Sequence, residues 1–242
     1  MISVVCVSND RTEIEKCLLP SLESQSVKFE LIVIDNSSKK FESAARALNY
    51  GAEGARGKYI MFVHQDVLIS SRTWLENVER ILDGIRDVGI AGVAGKASRN
   101  IIFTNINHKE GSPPPAGKVE INSPTIVQTV DECLFLIPRR VFSNLQFDEE
   151  VCSDWHLYAV DYSLSVGQRE LSVYVLPFEG VHMSHGKSSL STGGYYHTLR
   201  KVMRKHRDNY KHIYTTMGVW NTHQPVWLQR MVKRFNTLVN VI

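Results

Sequence analysis

Several common signatures are missing from this 242-residue chain, and each absence removes a class of function. No apolar run approaches the ~20 residues that a helix needs to cross a bilayer. No Gly-x-Gly-x-x-Gly follows the first apolar stretch, where VSNDRTEIEK stands instead, so hydride chemistry on a dinucleotide is not expected. No Gly-x-x-x-x-Gly-Lys-Ser/Thr occurs, which removes a P-loop NTPase. The four cysteines (Cys6, Cys17, Cys133 and Cys152) form no Cys-x-x-Cys pair, and three of them lie in apolar patterns. They read as small buried hydrophobes in a reducing cytoplasm. The opening MISVVCVSND has neither a basic leader nor a small-residue cleavage site, and reads as a first strand. There is no internal repeat.

Acidic residues are scarce in one place only. From Arg200 onward nine Lys and Arg stand against a single acid, Asp208, although the net charge of the whole chain is +3. The body is therefore mildly acidic and the tail basic, which points to an anionic partner for the tail.

The first hundred residues alternate between two periods. Residues 2–7, 31–34, 59–63 and 89–95 are short apolar runs that read as buried strands. Between them, Ile14, Cys17, Leu18 and Leu22 mark one helix with a kink at Pro20. Phe41, Ala45 and Leu48 mark a second, closed by Gly51. Trp74, Leu75, Val78, Ile81 and Leu82 mark a third, capped by Ser70 or Ser71 and ending at Gly84. Such alternation predicts a mostly parallel, Rossmann-like sheet with helices on both faces.

The middle is less regular. Residues 104–125, with Pro113, Pro114 and Pro115, read as an exposed loop. A long strand is expected over 125–138, interrupted at Asp131 and Glu132, a helix within 154–164 and a strand over 171–177. Two amphipathic helices follow, one with a face of Tyr195, Leu199, Val202, Met203 and His206. The other groups Trp227, Met231, Phe235, Leu238, Val239 and Ile242.

Ligands of open α/β sheets sit beyond the carboxyl ends of the strands. Ser8-Asn9-Asp10, Asp35-Asn36 and His64-Gln65-Asp66 all fall there. In FVHQDVLI (62–69) a carboxylate interrupts an apolar run, which is costly unless it is paired, hydrogen-bonded or metal-bound. Asp66 is thus a candidate metal ligand, with a structural cap as the alternative.

Five segments in order, ISVVCVSND, ELIVIDNSS, NYGAEGARGKYIMFVHQDV, VDECLFLIPRRVF with FDEE, and VYVLP with HMSHGKSS, resemble the inverting nucleotide-sugar glycosyltransferases of family two. The resemblance covers most of residues 1–190. It implies the GT-A fold, with 1–100 as the nucleotide-sugar half, 101–190 as the acceptor half and 191–242 as a basic helical extension. It further implies that Asp35 holds the nucleotide base, although a helix N-cap would also suit this Asp. Ser8, Asn9, Asn36 and Gln65 would flank the donor. Arg56 would face a phosphate, or else be a solvated residue in a turn.

His64-Gln65-Asp66 stands at the family's Asp-x-Asp position, so the resemblance implies a divalent cation, Mn²⁺ or Mg²⁺, at Asp66. His64 replaces the first Asp and would either bind metal or contact ribose. His182, in His182-x-Ser184-x-Gly186-x-Ser188, resembles the histidine that completes the metal–diphosphate site. An inverting transfer needs a general base, and the family's Glu-Asp pair is absent here. Asp154 ranks first in its place, then His156 and Asp161. Trp155 and Tyr158 would stack on sugars or pack in the core.

The expectation is thus metal-dependent, inverting transfer from a nucleotide-diphosphate sugar to a hydroxyl of a cell-surface glycan or glycolipid. A degenerate scaffold domain and a sugar nucleotidyltransferase are the rivals, the second lacking its glycine-rich basic loop. The tail implies an anionic membrane surface, with a homodimer interface as the alternative. A cytoplasmic protein, peripheral at the inner membrane face, is expected, and no nucleic-acid partner.

Overall fold

A strand that is apolar on both faces must be covered on both, and β1 (Ile2–Ser8) is. In the computed structural model, which describes residues 1–108, 117–183 and 193–233 and the helical path of 234–239, Val5 enters one core while Ile2, Val4 and Cys6 enter the other. Each such aliphatic side chain contributes about 1.5–3 kcal/mol on burial.

The chain alternates from there. α1 (Arg11–Lys16) and α2 (Leu18–Glu23) lead to β2 (Glu30–Asp35), and α3 (Ala44–Ala52) to β3 (Tyr59–Val63). β4 (Val67–Ile69) and α4 (Trp74–Asp83) lead to β5 (Val88–Gly92). Strands dominate the middle: β6 (Ala94–Lys96), β7 (Ile102–Thr104), β8 (Asn107–His108), β9 (Lys118–Val119), β10 (Thr125–Ile126), β11 (Thr129–Val130) and β12 (Leu134–Pro138). Then come α5 (Arg139–Phe142), α6 (Tyr158–Gly167), β13 (Ser172–Val175) and β14 (Gly180–His182). The chain closes with α7 (Gly193–His206), the hairpin of β15 (His212–Thr215) and β16 (Gly218–Asn221), and α8 (Val226–Val239).

The central sheet has the order β10-β13-β5-β12-β3-β1-β2. β1 runs parallel to β2 and β3, β13 runs parallel to β5, and β12 lies antiparallel between β3 and β5. The sheet is therefore mixed but mostly parallel, as the alternation predicts. α1, α2 and α4 cover one face, and α3 and α6 the other.

Local boundaries depart from the sequence expectations for physical reasons. The helix expected to kink at Pro20 is two helices broken at Cys17. Pro20 is tolerated in the first turn of α2, where its missing N–H would have had no intrahelical partner. Gly51 lies inside α3 instead of closing it, because a Cβ there would stand 2.2 Å from Ile34 Cδ1. Neither Ser70 nor Ser71 caps α4, which starts after Thr73 without a side-chain cap. The expected strand over 125–138 is three strands in two sheets, and that over 89–95 is β5 and β6 in two sheets.

Between the two tail helices stands a hairpin that periodicity did not reveal, and α7 buries its apolar face. Its Tyr195, Leu199, Val202 and Met203 form a third core with Leu157, Val160 and Leu164 around α6. The hairpin is fastened to the β11 segment: Gln128 Nε2 donates to the His212 carbonyl at 3.0 Å, and Tyr214 N donates to Gln128 Oε1 at 2.7 Å.

At the amino end of the sheet, Glu30 accepts from Ser3 Oγ at 2.5 Å, Arg56 N at 2.8 Å and Arg56 Nε at 2.7 Å. These donors, Ser3 foremost, hold its carboxyl down from an ordinary value near 4.5 to about 2. A depressed carboxylate stabilises the fold above its unfolded value, and that contribution is lost as pH falls through the folded one. Glu30→Gln is therefore expected to lower the urea midpoint near neutrality, with the gap to wild type closing between pH 4.5 and about 2. A gap independent of pH would contradict this.

Candidate active site

Parallel pairing aligns the carboxyl ends of β1, β2 and β3, since Ser8 lies opposite Asp35 and Val5 opposite Phe62. Their extensions form one wall of a cavity of about 790 Å³, within the range of small-molecule sites. Asn9, Asn36, His64, Gln65, Asp66 and Trp155 are among its lining residues, over an apolar floor that includes Val7, Leu48 and Phe62.

Gln65 is the brace of this wall. Its Oε1 accepts from Ser8 Oγ at 2.8 Å, Asn9 N at 3.0 Å and Asp10 N at 3.2 Å, while Nε2 donates to Asn9 Oδ1 at 2.8 Å. One amide therefore locks the loop after β1 onto the turn after β3. Asn36 shapes the neighbouring loop, donating from Nδ2 to the Phe41 carbonyl at 3.1 Å and accepting from Phe41 N at 2.8 Å.

The centre of the site comes from a second, smaller sheet. β4 pairs antiparallel with β14 so that His182 lies opposite Val67, next to Asp66. Met183 N donates to the Asp66 carbonyl at 2.9 Å, which fixes the register. His182 Nε2 stands 3.3 Å from Asp66 Oδ1, and the His64 and His182 rings are 5.7 Å apart. One potential ligand atom from each of His64, Asp66 and His182 falls within 4.8 Å of the other two.

The electrostatics suit such a centre. Burial, with the charge of His182, holds the His64 imidazole down to about 4, so it is neutral and has a lone pair to offer. Burial alone would raise Asp66, but its contacts with His182 and His64 outweigh this and keep it a carboxylate. Burial would lower His182, yet the Asp66 hydrogen bond and charge leave it raised. Two imidazoles and a carboxylate match a borderline cation such as Mn²⁺ better than Mg²⁺, which prefers oxygen. The three residues thus fit a divalent cation.

Two residues around the centre, Asp131 and Glu132, were not among the expected site residues, and Tyr158 was expected only to stack on sugars or pack in the core. Tyr158 OH lies 3.1 Å from His64 Nε2, and its ring packs in the core against Phe147 at 5.8 Å. Asp131 faces His64 and His182, accepting from Thr216 Oγ1 at 2.5 Å and Cys133 N at 3.1 Å. Burial and the Asp131 charge push the carboxyl of Glu132 well up, and its Oε1 is buried with no hydrogen-bond partner among the described residues. The available signal was the acidic pair 131–132 inside an apolar run, the same oddity that marked Asp66.

Other expected site residues fall elsewhere. Arg56 lies before β3, at the opposite end of that strand from His64 and about 17 Å away by strand rise. It forms a salt bridge there with Glu30 and is not among the residues that line this cavity. Asp35 is exposed and accepts from Ser37 N at 2.8 Å, a local turn; the cap of α3 is Ser43. Asp161 is buried between Lys205 Nζ at 2.7 Å and His206 Nε2 at 2.8 Å, which commits it to joining α6 and α7. Asp154 accepts from Trp155 N at 2.5 Å and packs on Gly194 at the start of α7, where a Cβ would stand 2.0 Å from its Oδ2. His156 packs on Tyr195 at 5.9 Å, and burial lowers its pKa. Ser184, His185, Gly186 and Ser188 lie outside the described residues.

Residues 3–206 match the Glycosyltransferase like family. The chain therefore belongs to that family, and it has the GT-A fold of glycosyltransferases. No curated protein matches its sequence. Among solved structures, S. aureus TarS 1–349 in complex with UDP-GlcNAc superposes with TM-score 0.59 at 14% identity, over 84% of this chain and 66% of that one. The mannosyltransferase PcManGT from Pyrobaculum calidifontis, in complex with GDP-Man and Mn²⁺, gives TM-score 0.59 at 14% identity over 87% and 65%. GalNAc-T7 with UDP, GalNAc and Mn²⁺ gives 0.58 at 13% over 84% and 47%. The chain thus spans less than two thirds of the length of these proteins.

Removing one partner of a buried ion pair is strongly destabilising. Asp161→Ala is expected to cost about 3 kcal/mol or more in denaturant unfolding. A loss below about 1 kcal/mol would contradict a structural role.

Proposed function

We propose that the chain transfers a sugar from a nucleotide-diphosphate donor to a hydroxyl group of a glycan or glycolipid, with inversion, at the cytoplasmic side of the cell. The observation that carries this reading is the His64–Asp66–His182 cluster, whose His64 and Asp66 line the cavity at the carboxyl ends of β1 and β3. TarS and PcManGT share the fold and bind UDP-GlcNAc and GDP-Man, which supports a nucleotide-sugar donor here.

The three residues would hold Mn²⁺ or Mg²⁺, which neutralises charge developing on the leaving diphosphate. The chain's own residues do the remaining work. Asp66 and His182 orient one another through their contact, and Tyr158 orients His64. Gln65 keeps the backbone of Asn9 and Asp10 at the rim, beside Ser8. Asn36 and Ser37 line the part of the cavity suited to the nucleoside, with Asp35 next to them.

For the general base we place Asp154 first and His156 second, because their loop delivers Trp155 to the cavity and Asp161 is committed elsewhere. The base takes the acceptor hydroxyl proton as that oxygen bonds to the anomeric carbon. The bond to the diphosphate breaks on the opposite face, which inverts the configuration.

Thermal unfolding with UDP, GDP, dTDP and CMP, each with and without Mn²⁺, tests the donor. One diphosphate is expected to stabilise the wild type only with metal, and Asp66→Ala and His182→Ala to abolish that shift. No response to any nucleotide would overturn the donor site and favour a scaffold role. In a transfer assay, Asp154→Asn is expected to lower kcat about 10²- to 10⁴-fold with donor binding intact; a change below about threefold would exclude it as base.

A further inference from the structure

α8 is amphipathic in the reverse of the usual sense. Its inward side carries Val226 together with three polar or charged residues. Gln229 Nε2 donates to the carbonyls of Asn221 and Gln224, both at 2.9 Å, and Asn221 N donates to Gln229 Oε1 at 2.8 Å. The Arg230 guanidinium lies 3.8 Å from the Tyr196 ring centroid, and Lys233 Nζ lies 3.3 Å from that of Trp220. The polar residues thus anchor the helix to α7 and to the hairpin.

What remains outside is apolar. Trp227, Leu228, Met231 and Val232 are 63%, 39%, 49% and 51% exposed. At 100° per residue these four share one side of the helix, a contiguous patch with no charged residue in it. Isolated exposed hydrophobes need no explanation, but a contiguous patch marks an interaction surface.

Charge identifies the partner. α8 rests by Arg230 on Tyr196 of α7, and Arg200 and Arg204 follow Tyr196 on that helix at intervals of four. Both arginines are exposed. Of the nine cations from Arg200 onward, Lys205 is paired with Asp148 and Asp161, Arg207 with Asp208, and Arg230 and Lys233 face inward, so Arg200 and Arg204 are the exposed cations that matter here. Self-association through this face would bring two basic surfaces together without compensating acids. A surface that is apolar inside and anionic outside complements the helix and its surroundings, as in interfacial helices generally.

We propose that the outward face of α8 docks on an anionic lipid bilayer, with Trp227, Leu228, Met231 and Val232 entering the headgroup–acyl boundary and Arg200 and Arg204 meeting lipid phosphates. This surface requires nothing of the donor site. The two are nevertheless linked mechanically, because the hairpin against which α8 packs donates from Thr216 to Asp131 beside the histidines.

Sedimentation of the full chain with vesicles tests this without any sugar chemistry. Phosphatidylcholine vesicles are compared with vesicles containing roughly one third phosphatidylglycerol. Binding to the anionic vesicles is expected to be at least ~10-fold stronger, and to fall with added salt. Trp227→Asp combined with Met231→Asp is expected to lose at least ~10-fold in that binding. Both sites are exposed, so its unfolding temperature and nucleotide response should match wild type. Arg200→Glu with Arg204→Glu should weaken anionic binding and leave the apolar face intact.

The proposal is overturned if the wild type stays in the supernatant with both vesicles, or if it binds both equally. It is also overturned if light scattering reveals a lipid-free dimer that the Trp227/Met231 variant dissociates, which would make the face a contact between copies. Failure of the nucleotide panel together with intact vesicle binding would remove the donor reading alone.

Discussion

The site depends on one backbone constraint, the antiparallel pairing of β4 with β14. That pairing sets His182 opposite Val67 and so brings an imidazole to Asp66 from more than a hundred residues away. A shift of one residue would send the His182 side chain to the other face of this small sheet, and Asp66 would stand half-buried without a partner. The remaining contacts guard that register. Met183 donates to the Asp66 carbonyl, and β8 flanks β14 on the side away from β4. The carboxylate that interrupts FVHQDVLI is tolerated because of this pairing.

Around that centre the chain is braced from three directions. Gln65 joins it to the loop after β1, Tyr158 joins His64 to the first turn of α6, and Thr216 joins Asp131 to the hairpin. α6 is in turn fixed to α7 by the Asp161, Lys205 and His206 cluster. Residues 193–233 therefore contribute to the third core and to the support of the site. The same anchoring explains why α8 shows its apolar side outward: its polar side chains face Tyr196, Trp220 and the turn after β16.

How much of this was legible in the sequence follows from how local each signal is. The parallel strands were readable because burial on both faces leaves continuous apolar runs, and their ends pointed to Ser8, Asn36 and His64-Gln65-Asp66. Asp66 stood out as a charge in an apolar run. His182 came from a family resemblance, since nothing local in Gly180–His182 announces its partner. The Tyr158–His64 contact joins residues 94 apart, and no periodicity reports such a distance. Arg56 came from the family resemblance, although it precedes the strand over 59–63 whose far end carries His64. For α8, periodicity gave the apolar face but not which side the protein would cover.

His64, Asp66 and His182 would together form one divalent-cation centre. Titration of Mn²⁺ against the full chain with a nucleoside diphosphate present, followed by loss of the free-ion paramagnetic resonance signal, tests it most directly. One bound ion per chain is expected in the wild type and none in Asp66→Asn. A free-ion signal that wild-type protein leaves unchanged, or binding that Asp66→Asn retains in full, would contradict it.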